Sequence, residues 1–470
     1  MRNRTIKQGL LRVSDTTNLC ETVIPLKKDK FFSLSKTART DVTQRLINEV
    51  TAEIDAYEAR CVVRRRKRKA EDKLVFDRTV SAIMCNLVHA VLTEDSRGMA
   101  IPRSNRTLGQ RGRYTPPAQS RQIPYVLDLL ANPELRWLRQ ELGEKNPFAR
   151  NQLTLVWPTE RVAEAIAKYN IDLSDIGRDL QEEVIILKSG KDEYWTESKR
   201  LDYDDSAETI DYRAEVTEIN TFLSKADIDF DDACHARSCP VDTQDRVLRR
   251  CFSRGSFRSG GRLFGGFWQG LPKEERIAGT LINGEQVVGL DYGQIATRIL
   301  YGLAGATPPP GDLYEIPGLT RLNGRCYRDG VKTIMNSLMF TDDSPKRKPK
   351  GSGDKLPRNL SIKEITDLIK AAHPGIAHML GANIGHDIQF IESTIMTRVI
   401  TELMSDGVVA LPIHDGLIVQ AKYEGKAKEV MQEVFKAEVG LPCPVTREVV
   451  GEGVGYRGVV DWRGTREAAV

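Results

Sequence analysis

The sequence predicts an α+β protein, with a mainly helical N-terminal region followed by a half built on antiparallel strands. Three segments carry this prediction. Residues 35–73 and 77–92 have apolar side chains at helical spacing. Residues 408–420 consist of two apolar arms around a central turn, which is typical of a β-hairpin. A chain of 470 residues is too long for one ordinary core, so we expect two or three domains.

Composition and charge are those of an ordinary globular protein, with 40% hydrophobic residues, 29% charged residues and a net charge of +4. Apolar runs do not approach membrane-spanning length, and the N-terminus lacks the apolar core of a secretory signal. The eight cysteines are scattered, which fits reduced thiols better than a disulfide framework. We therefore expect a cytoplasmic protein without a membrane partner.

Basic residues cluster in two places of the N-terminal region. One run closes the predicted helix 35–73, and a second group lies in a polar loop between residues 97 and 117. Such groups can donate hydrogen bonds to phosphate oxygens, although a solvated charged face explains the first run equally well. The candidate nucleic-acid contacts are Arg64, Arg65, Arg66, Arg103, Arg106, Arg111 and Arg113. Helices joined by a basic loop make residues 1–130 a possible winged-helix-like DNA-binding region.

The middle of the chain offers weaker signals. Residues 183–190 have the composition of a strand, and residues 206–226 have the pattern of an amphipathic helix. The segment 231–251 holds Cys234, His235, Cys239 and Cys251, whose spacing matches no standard zinc site, so we predict no metal there.

The first chemical signal is a buried strand that ends in an acid. The apolar run 287–290 predicts the strand, Asp291 follows it, and a helix begins near Gln294. The Asp291 carboxylate and the carbonyl of Tyr292 are oxygen ligands of the kind that divalent cations prefer.

The second signal is the hairpin at residues 408–420, which carries His414-Asp415-Gly416 at its tip. Two aspartates at the ends of adjacent strands can hold two magnesium ions. Such a pair would lower the pKa of an attacking hydroxyl and stabilise a leaving pyrophosphate. Each aspartate alone is a weak signal, because acids are common at strand ends.

The third signal is a helical stripe at residues 325–340. Four side chains recur every fourth residue and so share one helix face: Arg328, Lys332, Asn336 and Phe340. A stripe that changes from cationic to polar to aromatic fits a helix that meets a triphosphate at one end and a sugar or base at the other.

These three segments, in this order, resemble motifs A (287–300), B (325–340) and C (408–420) of the A-family, DNA polymerase I-like, DNA polymerases. The run from Gly-Gly-Arg-Leu at 260–263 to motif A, and the segment 441–462, are also similar to that family. The resemblance covers roughly 200 residues, and we assign residues 258–470 to the domain that contains them. It implies a right-hand polymerase with an antiparallel β palm and small helical fingers. Residues 131–257 would then form a thumb-like or connecting region.

The resemblance implies a role for each matching residue. Asp291 and Asp415 would be catalytic and would bind two Mg²⁺ ions, or Mn²⁺, with the carbonyl of Tyr292. The incoming nucleotide would contact Gln294, Ala296, Arg328, Lys332, Asn336 and Phe340. The primer–template would contact Arg262, Gln269, Arg298 and His414.

Several residues depart from the family pattern. Ala296 stands where the family carries a Glu that excludes a sugar 2′-hydroxyl, so the barrier to ribonucleotides is expected to be reduced. Asn336 stands where DNA polymerases carry an aromatic residue, and motif B also resembles that of phage single-subunit RNA polymerases. Gly416 replaces an acid that often follows His-Asp.

The sequence therefore predicts a template-directed DNA polymerase that uses dNTPs on a primer–template, lacks proofreading and replicates a bacterial plasmid, phage or other mobile element. Two alternatives remain. One is a primase-polymerase or RNA polymerase that uses rNTPs. The other is a DNA-binding replication protein whose polymerase half is vestigial.

Overall fold

The computed structural model describes residues 30–61, 66–143, 152–179, 181–190, 198–234, 241–342, 347–349 and 352–448. Within them the fold is mixed α/β with several antiparallel sheets, in agreement with the α+β prediction. The helices are α1 (Asp41–Arg60), α2 (Ala70–Leu92), α3 (Asn105–Leu108), α4 (Ile123–Leu130), α5 (Glu160–Tyr169), α6 (Ala207–Lys225), α7 (Lys273–Gly279), α8 (Ile295–Leu303), α9 (Arg328–Met339), α10 (Ile362–Ala372), α11 (Gly385–Ser405) and α12 (Glu424–Val439).

The strands fall into small sheets. They are β1 (Lys30–Phe31), β2 (Lys36–Ala38), β3 (Met99–Ile101), β4 (Leu138–Glu141), β5 (Thr154–Pro158), β6 (Ile176–Arg178), β7 (Ile185–Leu187), β8 (Ile228–Phe230), β9 (Arg249–Ser253), β10 (Ser256–Phe264), β11 (Thr280–Ile282), β12 (Glu285–Tyr292), β13 (Arg321–Leu322), β14 (Arg325–Cys326), β15 (Leu411–Ile413), β16 (Gly416–Gln420) and β17 (Val445–Arg447).

The N-terminal unit, described between residues 30 and 178, packs helices against a small sheet. Its sheet has the strand order β1-β3-β5-β4, and α2 packs against α1, α4, α5 and β5. A single apolar core joins its buried side chains from Leu46 to Ile176. The sheet was not predicted from the sequence, because its strands are only two to five residues long and carry little period-2 pattern.

The predicted helix at 35–73 is wrong as a single element. The structure has two helices, α1 ending at Arg60 and α2 beginning at Ala70. The Arg68 side chain, 5% exposed, forms ion pairs with Glu58 and Asp55 and lies over the Phe76 ring. Arg68, the buried cation of the basic run, thus connects the start of α2 to the end of α1.

Helix α2 is, among the described residues, the one helix long and apolar enough to cross a membrane by length and composition. The apolar runs of the sequence do not predict such a segment. Two thirds of its apolar window, 67%, is buried inside the protein, as in the core helix of a globular unit.

The C-terminal unit, described between residues 184 and 448, is built on a sheet with the order β15-β16-β12-β11-β8, and β17 pairs with β12. Strand β12 has neighbours on both edges and a buried apolar run, as the sequence predicted. Helices α8, α11 and α12 pack together beside this sheet, and one apolar core joins the unit from Val184 to Cys443. The predicted helix at 206–226 is confirmed as α6, and the predicted strand at 183–190 as the shorter β7.

Polar contacts join the two units. His89 on α2 lies 2.5 Å, Nε2 to Oδ2, from Asp242, and Lys36 on β2 lies 3.5 Å from the same carboxylate. The Tyr114 hydroxyl donates to the carbonyl of Leu201 and accepts from the Leu187 amide. The division at residues 130 and 257 stays a prediction. Along the chain, the buried residues of the N-terminal core end at Ile176, and those of the C-terminal core begin at Val184.

Candidate active site

Strand β12 brings Asp291 to the mouth of a cavity. Val287, Val288 and Leu290 are buried, because the sheet is covered where they lie. The strand pairs with β16 in antiparallel register, and Asp291 lies opposite Gly416. The predicted strand is confirmed, and it continues one residue beyond the acid.

The second carboxylate lies on the tip of the β15–β16 hairpin, as the sequence predicted. Ile413 pairs with Gly416, so His414 and Asp415 form a two-residue turn, and His414 has φ of 54°. A Cβ atom at residue 416 would lie 2.7 Å from the Leu290 carbonyl oxygen and 3.3 Å from a carboxylate oxygen of Asp291. A glycine at this position therefore lets the two strand ends approach closely.

The electrostatic surroundings of Asp291 disfavour its ionised form. Burial, together with the neighbouring Asp415 and Glu448, raises the pKa of Asp291 to about 7, and Lys332 and Lys273 oppose that change. A divalent cation between the carboxylates would relieve the repulsion, and carboxylate oxygens are the ligands that Mg²⁺ prefers. The donor set therefore fits magnesium.

Within the described ranges, no group of three or more His, Cys, Asp and Glu side chains could hold a metal ion. A cation at the aspartate pair would thus complete its coordination with backbone, water or substrate oxygens. Tyr292 lines the cavity, while its buried side chain donates a hydroxyl hydrogen bond to the Met431 carbonyl. In the segment 231–251, for which we predicted no zinc, His235 and Cys239 lie outside the described residues.

Helix α9 presents the predicted stripe to the same cavity. The residues of its opposite face, such as Val331, Ile334 and Leu338, are buried in the core, so the helix can turn only its polar face outward. A Cβ at Gly330 would lie 1.8 Å from the carbonyl oxygen of Lys355. The glycine thus lets the 353–356 segment pack against the helix backbone.

Arg262 reaches the cavity from β10 through a distorted stretch of strand. Its neighbours Gly260 and Gly261 have φ of 78° and 82°, and the register of β10 with β9 shifts on both sides of Gly260. Ser393 on α11 donates a hydrogen bond to the Gly260 carbonyl, and Glu392 on the same helix accepts two from Arg262. The bulge in β10 and the contacts with α11 together orient the Arg262 guanidinium at the cavity wall.

One cavity of about 470 Å³ gathers ten of the thirteen residues to which the resemblance gave a role. Asp291, Tyr292 and Asp415 line it together with the four residues of the α9 stripe. Its lining residues are Arg262, Asp291, Tyr292, Gly293, Gln294, Ile295, Ala296, Tyr314, Arg328, Lys332, Asn336, Met339, Phe340, Gly385, Ile388, Gln389, Glu392, Asp415 and Thr446. Cation, carboxylate and aromatic groups from three distant segments of the chain therefore face a common space.

Three of the predicted primer–template residues do not line this cavity. Gln269 donates to the carbonyls of Leu263 and Pro412, which ties β10 to the hairpin that carries Asp415. Arg298 donates to the Gly293 carbonyl and to the Gln294 side chain, and so holds the turn after Asp291. The His414 and Phe264 rings pack edge to face, with their centres 5.7 Å apart. Their contact with nucleic acid stays a prediction.

Ala296 lines the cavity as a small side chain at the start of α8. The preceding Gly293 lies against Pro444, where a Cβ would come within 3.0 Å of the proline ring. Asn336 lines the same space from α9. The cavity wall therefore includes a methyl group at residue 296 and an amide at residue 336.

Several residues of this site were not predicted from the sequence. Glu392, Gln389 and Tyr314 line the cavity, and Asp312 forms an ion pair with Arg328. Glu392 is one acid in a long helix, and its importance follows only from its contact with Arg262. Asp312 stands after a Pro- and Gly-rich loop with no motif of its own, so spacing could not have found it.

The N-terminal arginines are mostly engaged within the protein. Arg103 pairs with Asp128, and Arg113 pairs with Glu183 and Asp205. Arg111 donates to nearby backbone carbonyls. Arg106 and Arg66 lie at exposed positions, and Arg66 also has an interaction within the protein. Arg64 and Arg65 lie outside the described residues. A nucleic-acid role for this region stays a prediction.

The fold and the site define a mixed α/β protein in which an aspartate near a strand end, an aspartate in a hairpin turn and the cationic start of a helix line one cavity. No family model matches the chain, and no curated protein matches it. Among solved structures, it is similar to the POL domain of Pol1 from M. smegmatis in complex with DNA primer-template and dNTP. The TM-score is 0.31 and the identity 11%, over 88% of this chain and 66% of that one. We base the functional proposal on the geometry of the site itself.

Proposed function

We propose that this chain is a template-directed DNA polymerase of the A-family type, which transfers nucleotides from dNTPs to a primer 3′-hydroxyl. One observation carries the proposal. Asp291, near the end of β12, and Asp415, in the turn of the neighbouring β15–β16 hairpin, line the same cavity as Arg328 and Lys332 of α9. Paired carboxylates opposite paired cations are what nucleotidyl transfer needs, because the substrate is a metal-bound polyanion.

The residues of the cavity divide the work by their chemistry. Asp291 and Asp415 would hold two magnesium ions, which supply charge neutralisation and a more acidic attacking hydroxyl. Arg328 and Lys332 bind the triphosphate, and Phe340, 40% exposed at the end of α9, packs against the nascent base pair. Arg262 contacts the primer end, next to Asp415.

We extend the proposal to the architecture. The central sheet with Asp291 and Asp415 acts as the palm, and the segment from α9 to α10 acts as small fingers. The N-terminal unit binds template or an origin. The enzyme lacks proofreading, acts in the bacterial cytoplasm and replicates a plasmid, phage or other mobile element.

A second candidate is an enzyme that uses rNTPs, either an RNA polymerase or a primase-polymerase. The observation that favours it is the cavity wall at Ala296 and Asn336, neither of which is an acid or an aromatic residue. A sugar 2′-hydroxyl would meet a methyl group and an amide there, and the amide can hydrogen-bond with it.

The test is extension of a labelled primed template, and of the same template without primer, with either dNTPs or rNTPs. Wild-type protein, Asp291→Ala and the control Asp354→Ala are compared, since the Asp354 side chain is 92% exposed and pairs with the surface Arg358. We expect primer-dependent extension with dNTPs that is lost in Asp291→Ala and kept in the control.

Efficient extension with rNTPs alone would favour the second candidate. Extension that persists in Asp291→Ala would reject the two-aspartate site. A protein that binds DNA but never extends it would point to the vestigial alternative.

A further inference from the structure

Asp312 lies at the centre of a hydrogen-bond network beside the cavity. Its carboxylate accepts hydrogen bonds from Nε and Nη2 of Arg328, the second at 3.2 Å, and from the Gln294 side-chain amide at 3.0 Å. The backbone amide of Tyr314 donates to the same carboxylate at 3.0 Å. Four donors from three segments therefore converge on one side chain.

The way in which Asp312 holds Arg328 decides which edge of the guanidinium faces the cavity. A side-on pair through Nε and Nη2 leaves Nη1 and the outer side of Nη2 for another acceptor. Arg328 lines the cavity, and its guanidinium carbon lies 5.2 Å from the centre of the Tyr314 ring. The carboxylate and the ring thus orient a cation whose remaining donors form part of the cavity wall.

The network continues to the turn that follows Asp291. Gln294 stands in the left-handed region, with φ of 60°, and accepts a hydrogen bond from Arg298 at 3.3 Å while it donates to Asp312. Arg298 also donates to the carbonyl of Gly293 at 3.0 Å. A chain of contacts therefore joins the carboxylate strand β12 to the first residue of α9.

We propose that Asp312 is a positioning residue for nucleoside triphosphate binding, acting through Arg328; this rests on the function proposed above. Asp312 does not contact the phosphates itself. It holds the Arg328 guanidinium in one orientation, so that the Nη1 group can donate to a phosphate at a fixed distance from Asp291.

The arrangement is repeated at Arg262. Glu392 holds that arginine through Nε and Nη2, again leaving Nη1 for the cavity. In both pairs a carboxylate binds Nε and Nη2 of an arginine that lines the site. The carboxylate restricts the motion of the arginine side chain, and the remaining N–H groups can still donate to a ligand.

The Arg328–Asp312 ion pair is exposed enough that replacing Asp312 should not disturb the fold. The side chains of Arg328 and Asp312 are 38% and 32% exposed, so their ion pair adds little to folding stability. Asp312→Asn keeps the size of the side chain and an oxygen that can accept from the Tyr314 amide. We therefore expect this variant to remain folded.

The experiment is a double-mutant cycle. Binding of a non-hydrolysable dNTP analogue to the protein–primer–template complex is measured for wild type, Asp312→Asn, Arg328→Ala and the double variant, with Asp354→Asn as control. We expect Asp312→Asn to weaken binding about three- to tenfold, and to raise KM for dNTP with kcat changed less than about twofold. In the Arg328→Ala background, Asp312→Asn should have no further effect.

The proposal is overturned if Asp312→Asn leaves binding unchanged or tightens it, or if its effect is equally large without Arg328. Those outcomes leave the polymerase assignment intact when wild type still extends primers. If wild type neither binds the analogue nor extends a primer, the proposed function fails and this inference fails with it.

Discussion

Glu392 accepts two hydrogen bonds from the guanidinium of Arg262, at 2.7 and 2.9 Å, across 130 residues of chain. The Glu392 side chain is 2% exposed, while that of Arg262 is 26% exposed and reaches the cavity. Burial raises the pKa of Glu392, and the Arg262 charge opposes that change. Helix α11 thus supplies a buried anion whose partner is the cation beside Asp415.

Replacing Glu392 with Gln should disturb both stability and primer binding. We expect the free energy of unfolding to fall by about 1–3 kcal/mol, because the Arg262 fork loses a charged acceptor. KM for the primer–template should rise about tenfold through misplacement of Arg262. Urea unfolding and steady-state extension measure the two effects. Glu402→Gln on the same helix, in an exposed pair with Arg398, is the matched control. Equal behaviour of the two variants would contradict the prediction.

Neutralising Asp291 should stabilise the metal-free protein while it abolishes extension. Asp291 is crowded by Asp415 and Glu448, so Asp291→Asn removes a repulsion and should add on the order of 1 kcal/mol to the free energy of unfolding in EDTA. Thermal unfolding with and without Mg²⁺ tests this. Magnesium should raise the Tm of wild type and leave that of Asp291→Asn nearly unchanged. A lower Tm of the variant in EDTA would count against the crowded pair.

Asp242 should make the contact between the two units depend on pH. Burial alone would raise the pKa of Asp242, but the His89 hydrogen bond and the charge of Lys36 outweigh it and hold that pKa well below 3.8. A carboxyl whose pKa is depressed on folding stabilises the fold above its unfolded pKa, and this stability is lost as pH falls through the folded value.

Asp242→Asn should therefore cost about 1–3 kcal/mol near pH 6, and its difference from wild type should shrink below about pH 4. Urea unfolding between pH 3 and 6 measures the difference. Asp354→Asn, at an exposed pair, should show no such trend. A difference that stays constant from pH 6 to pH 3 would exclude this ion pair as its cause.

Gly330→Ala should damage the helix that carries Arg328 and Lys332. The new Cβ would lie 1.8 Å from the Lys355 carbonyl oxygen, and a backbone atom cannot move aside as a side-chain end can. The clash should cost about 1–3 kcal/mol, more than the ~1 kcal/mol that alanine contributes to helix propensity. Gly353→Ala, where the added atom meets nothing within 4 Å, is the control. Chemical denaturation of both variants decides the point.

Ala296→Glu should restrict the sugar. A longer acidic side chain would project into the cavity that Ala296 and Asn336 both line. We expect the ratio of kcat/KM for dNTP over rNTP to rise about tenfold or more. Single-nucleotide insertion with matched dNTP and rNTP measures it, with Ala296→Ser as the control for size. An unchanged ratio would place the sugar elsewhere in the cavity.

The pattern of the chain was enough to find the elements that carry the site. Strand β12, the hairpin with Asp415 and the face of α9 all follow from local periodicity, because an apolar run or a four-residue spacing defines each of them. The small N-terminal sheet and the break between α1 and α2 did not follow. Strands of two to five residues show almost no pattern, and the break depends on Arg68 turning back to Glu58.

The sequence alone predicted that Asp291, Asp415 and the stripe that begins at Arg328 bear chemistry, and the structure brings them to one cavity. Only the tertiary structure decided which side chains hold them in place. Glu392 behind Arg262 and Asp312 behind Arg328 are contacts between segments 130 and 16 residues apart. A carboxylate becomes part of a site when folding places it within hydrogen-bond distance of a cation. That distance is set by the packing of α11 and of the 312–314 loop, and spacing along the chain does not encode it.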